Sequence, residues 1–418
     1  MGPITIFDKS ALQALSMDES VWFDAFFLTN VTPLFYVETL ADLEKAVAKG
    51  RTPESVVGML AAKTPNGATP NVHHRSLISA ELQGATVPMK HGQIPVSPGE
   101  RMRAPDGAIG VHIDEFPEEA TLGRWKDYEF LEIERTIAKV WRADLAVHDP
   151  RRIIDWVAGA VPVRDPTTEL TALKEDIDAY CAREDEQVLR VALELLGVPA
   201  VPAKQVVERW QKAERPRLEE FAPYTTHVFK VDLLYYLGMR HKLIYSGRAS
   251  NRIDMAYLYY LPFSMVFVSG DKLHHKTTPL FLRENQSYVQ AKELKAALRE
   301  IDTHYDMFPE EIKARGVMSF ARHPPAELDN VVTQLWDRHM GTRWRENADQ
   351  QSSDEPEAAE PASDAAELRD RVERAQPVAA GDPADSEDPD YFVIRRQYPV
   401  MKGKWRLLPE ELQQPDPE

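Results

Sequence analysis

The chain has 418 residues, 43% of them hydrophobic, one cysteine (Cys181) and a formal net charge of −17. That is enough apolar material for a sizeable core, and a single cysteine excludes an intrachain disulfide and any multi-cysteine zinc site within one chain. The charge is unevenly placed: residues 346–390 contribute −12 of it, so the total does not exclude a nucleic-acid partner for the rest of the chain. The first residues lack the basic start and apolar stretch of a secretory leader, and no run approaches the roughly 18 apolar residues of a membrane span. The expectation is a cytoplasmic protein with no membrane association.

In chain order, residues 3–8 read as a short buried strand ending in Asp8, and residues 11–28 as a helix from their apolar period. Asn30 to Thr32 is extended. Thr32-Pro33 then opens a helix, threonine as cap and proline at the first helical position, which runs to about Lys49 and stops at Gly50. Residues 64–123 are rich in proline, glycine and polar side chains. Helices are predicted at roughly 125–145, 168–196 and 203–221, with proline-bearing links between them. Further helices are expected over 227–244 and 251–261. A compact strand at Ser264–Ser269 leads into Gly270-Asp271, then a strand near Tyr288 and a helix over 291–303. The acidic, Pro/Ala/Ser-rich stretch 346–390 has too little apolar area to offset its ordering entropy and is expected to be disordered. Residues 391–418 turn aromatic and basic again. They are expected to bind phosphate, to dock on the body as an extra strand, or to engage a partner.

Four carboxylates stand out. Asp8 and Asp271 each follow an apolar strand, the end of an open α/β sheet at which ligands bind. Glu38 lies between Leu34 and Ala41 on one helix surface, and Asp254 shares a face with Tyr257, Leu258 and Leu261. Both acids therefore border apolar stripes, where an ionised carboxylate is costly unless paired or bound to metal. The adjacent pairs His73-His74 and His274-His275 point their rings apart, so neither alone makes a zinc site. The Lys230–Lys242 stretch mixes basic and aromatic residues, but its spacing is that of a core helix with a solvated edge. There is no Gly-rich phosphate loop, nucleophile elbow or HExxH motif to suggest another α/β enzyme.

Three blocks carry a family resemblance. ITIFDKSALQALS, NVTPLFYVETLADLEK and RIDMAYLYYLPFSMVFVSGDKL resemble, in this order, the segments that bring four acids together in the PIN-domain family of nucleases. The resemblance covers about residues 1–60 and 225–305. Lys9 stands where the family usually has a small or hydroxyl residue, and about 165 residues separate the two halves. It implies a PIN-like parallel-sheet α/β/α sandwich with a mostly helical insertion and a disordered acidic tail. The divisions are then 1–60 and 223–345 for the PIN-like domain, 61–222 for the insertion, 346–390 for the acidic linker and 391–418 for the C-terminal segment.

The resemblance further implies a phosphodiesterase acting on RNA, or on DNA as the nearest variant. Asp8, Glu38 and Asp271 would be principal ligands of Mg2+ or Mn2+, and Asp254 would serve a second ion or hold a water. Hard oxygen donors select such ions over zinc. Ser10 and Ser269 are expected to orient Asp8 and Asp271, and Lys272 to steady the phosphate. Without a cation, repulsion should raise at least one carboxyl pKa. A partner protein or cognate inhibitor is a further implication. The alternative is a PIN-like module that binds nucleic acid or protein without catalysis.

Overall fold

A computed structural model describes residues 2–41, 43–66, 69–95, 100–112, 117–136, 140, 150–164, 167–247, 250–346, 374–378, 391–393 and 399–408. The centre is a parallel sheet of β1 (Ile4–Phe7), β2 (Leu28–Val31), β6 (Val266–Ser269) and β7 (Ser287–Gln290), extended at one edge by the two-residue β3 (Thr69–Pro70). The order is β3-β2-β1-β6-β7, every pair parallel. From β1 the chain winds outward through β2 and β3, then returns to the other side of β1 with β6 and β7. The crevice beyond the carboxyl ends of β1 and β6 is therefore the topological switch point, where open α/β sheets bind ligands.

A parallel sheet must bury both faces, so its inner strands read as nearly continuous apolar runs; all four residues of β1 and of β6 are buried. Alternation then assigns each face. Phe7, Val266 and Val268 join Trp22, Phe23, Phe26, Leu298 and Trp336 in one cluster. Ile6 and Phe267 point the other way, into a cluster with Leu34, Phe229, Leu233, Trp210 and Leu189. The helical residues between the two halves thus supply much of the second layer of the sandwich. The Pro223–Arg240 helix runs through that layer, and its Val231, Leu233, Leu234 and Leu237 are buried, as the core reading of this stretch requires.

Several elements differ in extent from the sequence reading. The helix expected over 11–28 is two, Lys9–Ala14 and Met17–Phe26, because Ser16 and Glu19 form a capping box that restarts the helix. The helix from Pro33 is described as Pro33–Ala41 and Leu43–Val47, and Gly50 follows with φ +79°. Residues 168–196 form Leu170–Cys181 and Glu186–Leu195, and 203–221 form Ala200–Lys212 and Leu218–Phe221. The 64–123 stretch is more ordered than expected. It holds the His74–Leu82 helix, the antiparallel pair β4 (Glu100–Arg103) and β5 (Ile109–His112), and the Pro117–Lys126 helix. The helix predicted over 125–145 is not continuous: the Pro117–Lys126 helix ends at Lys126, residues 127–131 are non-helical, helix resumes over 132–136, and residues 137–139 and 141–145 lie outside the described residues.

The acidic stretch also lies mostly outside the described residues, but Gln376–Pro377 forms β8 on β4, so it is not without order throughout. The C-terminal segment docks on the body. Tyr391–Val393 (β9) pairs with β5, and Met401–Lys402 (β10) forms a hairpin with Trp405–Arg406 (β11). Trp405 packs edge-on to Trp22 at 4.7 Å and donates to Asp302 at 2.7 Å. Lys404 bonds Asp302 and Asp306, and Lys402 lies 3.8 Å from Asp24. These lysines are neutralised by the body. No described helix is long and apolar enough to cross a membrane.

Candidate active site

Asp8 leaves the end of β1 in extended conformation and caps the Lys9–Ala14 helix, accepting from the Ala11 amide at 2.9 Å. Ser10 Oγ donates to the same carboxylate at 2.7 Å, and Ser269 Oγ, from the end of adjacent β6, donates to Oδ2 at 2.6 Å. Gly270 follows, and its amide donates to Ser10 Oγ at 2.8 Å, stitching the two strand ends together. Asp271 then caps the Lys272–Thr277 helix, accepting from the Leu273 amide at 2.6 Å. Both aspartates predicted from the strand ends are thus at the switch point, on neighbouring strands.

The other two acids arrive from helices. Glu38, on Pro33–Ala41, has a side chain 18% exposed, and Tyr257 Oη donates to it at 2.9 Å. Lys9, itself buried, places its ammonium 3.7 Å from Glu38 Oε1 and bonds the Glu38 carbonyl at 3.2 Å. Asp254 is buried on the Asn251–Ala256 helix, and its carbonyl accepts from His274 Nε2 at 2.6 Å. His274 Nδ1 in turn lies 2.7 Å from Ser269 Oγ and 3.4 Å from Asp8 Oδ2. With Nε2 donating to a carbonyl and the Ser269 hydroxyl donating to Asp8, Nδ1 must also donate, which makes the ring an imidazolium.

The electrostatics follow from these contacts. Burial alone would depress the His274 pKa, but its bond and charge interaction with Asp8 outweigh that and raise it to about 9. Burial pushes the Asp8 carboxyl up, and His274, Ser269 and Ser10 more than offset it, holding Asp8 below the ordinary carboxylate value. Glu38 goes the other way: burial, reinforced by the Asp8 charge, raises it despite Lys9. One carboxyl does rise, but chiefly through burial and only secondarily through the repulsion expected from the sequence, while its neighbour is held ionised by a cation from the chain.

Two roles differ from the sequence reading. Ser269 was expected to orient Asp271. Its hydroxyl serves Asp8 instead, and from Asp271 it accepts only the backbone amide, at 2.9 Å. His274 and Tyr257 were not among the expected site residues. The signal for His274 was its place three residues after the capping Asp271, which turns it inward; Tyr257 follows Asp254 by one helical turn. Lys272 is exposed at the rim. The other histidine pair does not point its rings apart as expected: they stack at 4.3 Å, and His73 caps the His74–Leu82 helix through its ring.

The donors fit a hard divalent cation in kind. They are carboxylates, the oxygen donors such an ion takes. The contacts of Asp8 and Glu38 set a condition on such binding. Ser10, Ser269 and Ala11 already use most of the lone pairs of Asp8, and Lys9 faces Glu38. Among the described residues, no three of His, Cys, Asp and Glu stand close enough to enclose a metal ion. A cation at Glu38 therefore competes with the Lys9 ammonium. Comparison with protein families, curated proteins and solved structures finds no match to this chain.

Proposed function

We propose that the chain is a metal-dependent phosphodiesterase of the PIN-like kind, hydrolysing RNA at the Asp8–Asp271 end of the sheet. The observation that carries this reading is that Asp8 and Asp271, from separated blocks, cap the helices that follow neighbouring strand ends, with Glu38 and Asp254 linked to the same end of the sheet. Asp8 and Asp271 follow neighbouring strands, and Glu38 and Asp254 are tied to them through Lys9, Tyr257 and His274. In this reading Asp8, Glu38 and Asp271 hold Mg2+ or Mn2+, and Asp254 supports the centre from beneath. The ion supplies Lewis-acid polarisation of the phosphodiester. Ser10 and Ser269 fix the Asp8 carboxylate, His274 keeps it ionised, and exposed Lys272 at the rim meets the phosphate.

The test is incubation of a labelled mixed RNA pool with Mn2+ or Mg2+. The wild type should cleave and Asp271→Asn, which keeps the helix cap, should not. Equal cleavage by both proteins would remove Asp271 from the reaction.

A specific observation favours a second reading. Lys9 and His274 already balance Glu38 and Asp8, and no three ligands are grouped among the described residues. On that reading the fold is a nucleic-acid- or protein-binding module without catalysis. It predicts RNA affinity that persists in Asp8→Asn, and no cleavage with either metal.

A further inference from the structure

A second concavity opens on the other side of the Asn251–Ala256 helix. Residues two apart on a helix point in nearly opposite directions, so Arg252 faces away from the centre to which Asp254 belongs. The cavity encloses about 330 Å3, the small end of the range for ligand pockets. At its base Arg252 makes a bidentate pair with Asp232 at 2.6 and 2.8 Å, and the Tyr259 hydroxyl bonds both. That trio is satisfied internally and holds the base rigid. One wall is apolar, with Ile78, Ile153, Leu195 and half-buried Trp156, while Arg75, Arg152 and Glu194 line the exposed part, two cations against one carboxylate.

One group in this cavity has not been matched by the fold. His74 lines it and is 7% exposed, yet its Nδ1 has no hydrogen-bond partner. Buried polar atoms are normally paired, and this one is closed to water as well as to the fold. Burial, reinforced by His73, Arg252 and Arg75, keeps the ring neutral, so it offers one N–H and one lone pair. A wall of apolar side chains with one planar indole suits the face of an aromatic ring. A neutral imidazole suits the polar edge of a heterocycle, and two guanidinium groups suit a phosphate.

We propose that this cavity binds a nucleoside monophosphate, its base against Trp156 and hydrogen-bonded to His74, its phosphate at Arg75 and Arg152. Inorganic phosphate alone would leave the apolar wall and His74 unused. None of the four acids of the switch-point centre lines the cavity, so the proposal stands independently of the phosphodiesterase reading.

The experiment is calorimetric titration of the full chain with each of the four nucleoside 5′-monophosphates, and with adenosine and inorganic phosphate as controls. One or more monophosphates should bind saturably at one site, at least about tenfold more tightly than either control. Arg152 is exposed, so Arg152→Glu should leave the fold intact; it and Trp156→Ala should each weaken binding about tenfold or more, with Arg152→Lys recovering part of the loss. Asp8→Asn should bind as the wild type does. No saturable binding up to about 5 mM, or binding that survives both Arg152→Glu and Trp156→Ala, would overturn the proposal. Loss of binding in Asp8→Asn would overturn it too, since the ligand would then sit at the acid centre.

Discussion

Removing Arg252 should expose how much the second layer depends on one buried ion pair. In Arg252→Met the Asp232 carboxylate, with a side chain only 2% exposed, loses both guanidinium bonds and keeps only the Tyr259 hydroxyl. Breaking a buried pair by removing one partner costs about 3–5 kcal/mol, because the remaining charge is desolvated and uncompensated. Arg252 also covers the rings of Tyr235, Tyr236 and Tyr259 at 5.7–5.8 Å, and methionine retains part of that packing. The double variant Asp232→Leu/Arg252→Met removes both charges and leaves Tyr259 without a partner, at about 1–2 kcal/mol. Urea denaturation followed by circular dichroism should therefore place the single variant well below the double variant. Equal losses in the two, or a single-variant loss under about 1 kcal/mol, would refute the argument that the pair is desolvated and matched only to itself.

Two further outcomes follow from the same geometry. His274 has a folded pKa of about 9 against an ordinary 6.5, so metal-free protein should hold its full contribution below pH 6.5 and lose it as pH rises through 9. The loss is about 3 kcal/mol, and urea titrations at pH 6 and pH 9.5 should show it in the wild type and not in His274→Gln. Lys402, lowered to about 8, acts in the opposite sense but equally in both proteins, so a difference between them of zero would contradict the His274 assignment. Trp405→Ala should free the C-terminal hairpin and cost about 3–5 kcal/mol, since the indole is 2% exposed against Trp22 and bonded to Asp302. Limited proteolysis after Lys402 or Lys404 should accelerate in that variant, and an unchanged cleavage rate would mean that the hairpin is held elsewhere.

What the sequence revealed was local. ITIF and VFVS are short apolar runs flanked by turn residues, and each ends where an aspartate caps the next helix, so strand and acid are read together. The His74–Leu82 helix was not legible because its nine mixed polar and apolar residues sit inside a proline- and glycine-rich stretch that reads as loop. The break at Ser16 was present as a capping box, but the apolar residues on either side continue one period across it. Identities of the acids were legible; what neutralises them was not. Tyr257 reaches Glu38 across 219 residues and Ser269 reaches Asp8 across 261, and such contacts exist only once β1 and β6 lie side by side. The same holds for the intervening helices. Their apolar faces were visible, but only the pleat of the sheet shows that Ile6 and Phe267 need them.

The most direct test of the acid centre is calorimetric titration of Mn2+ into the wild type and into Asp8→Asn. The account predicts saturable binding in the wild type that is lost in the variant while the fold, followed by circular dichroism, is retained. No binding in the wild type, or equal binding in the two proteins, would contradict it and leave Lys9 and His274 as the permanent counter-charges of a centre that holds no metal.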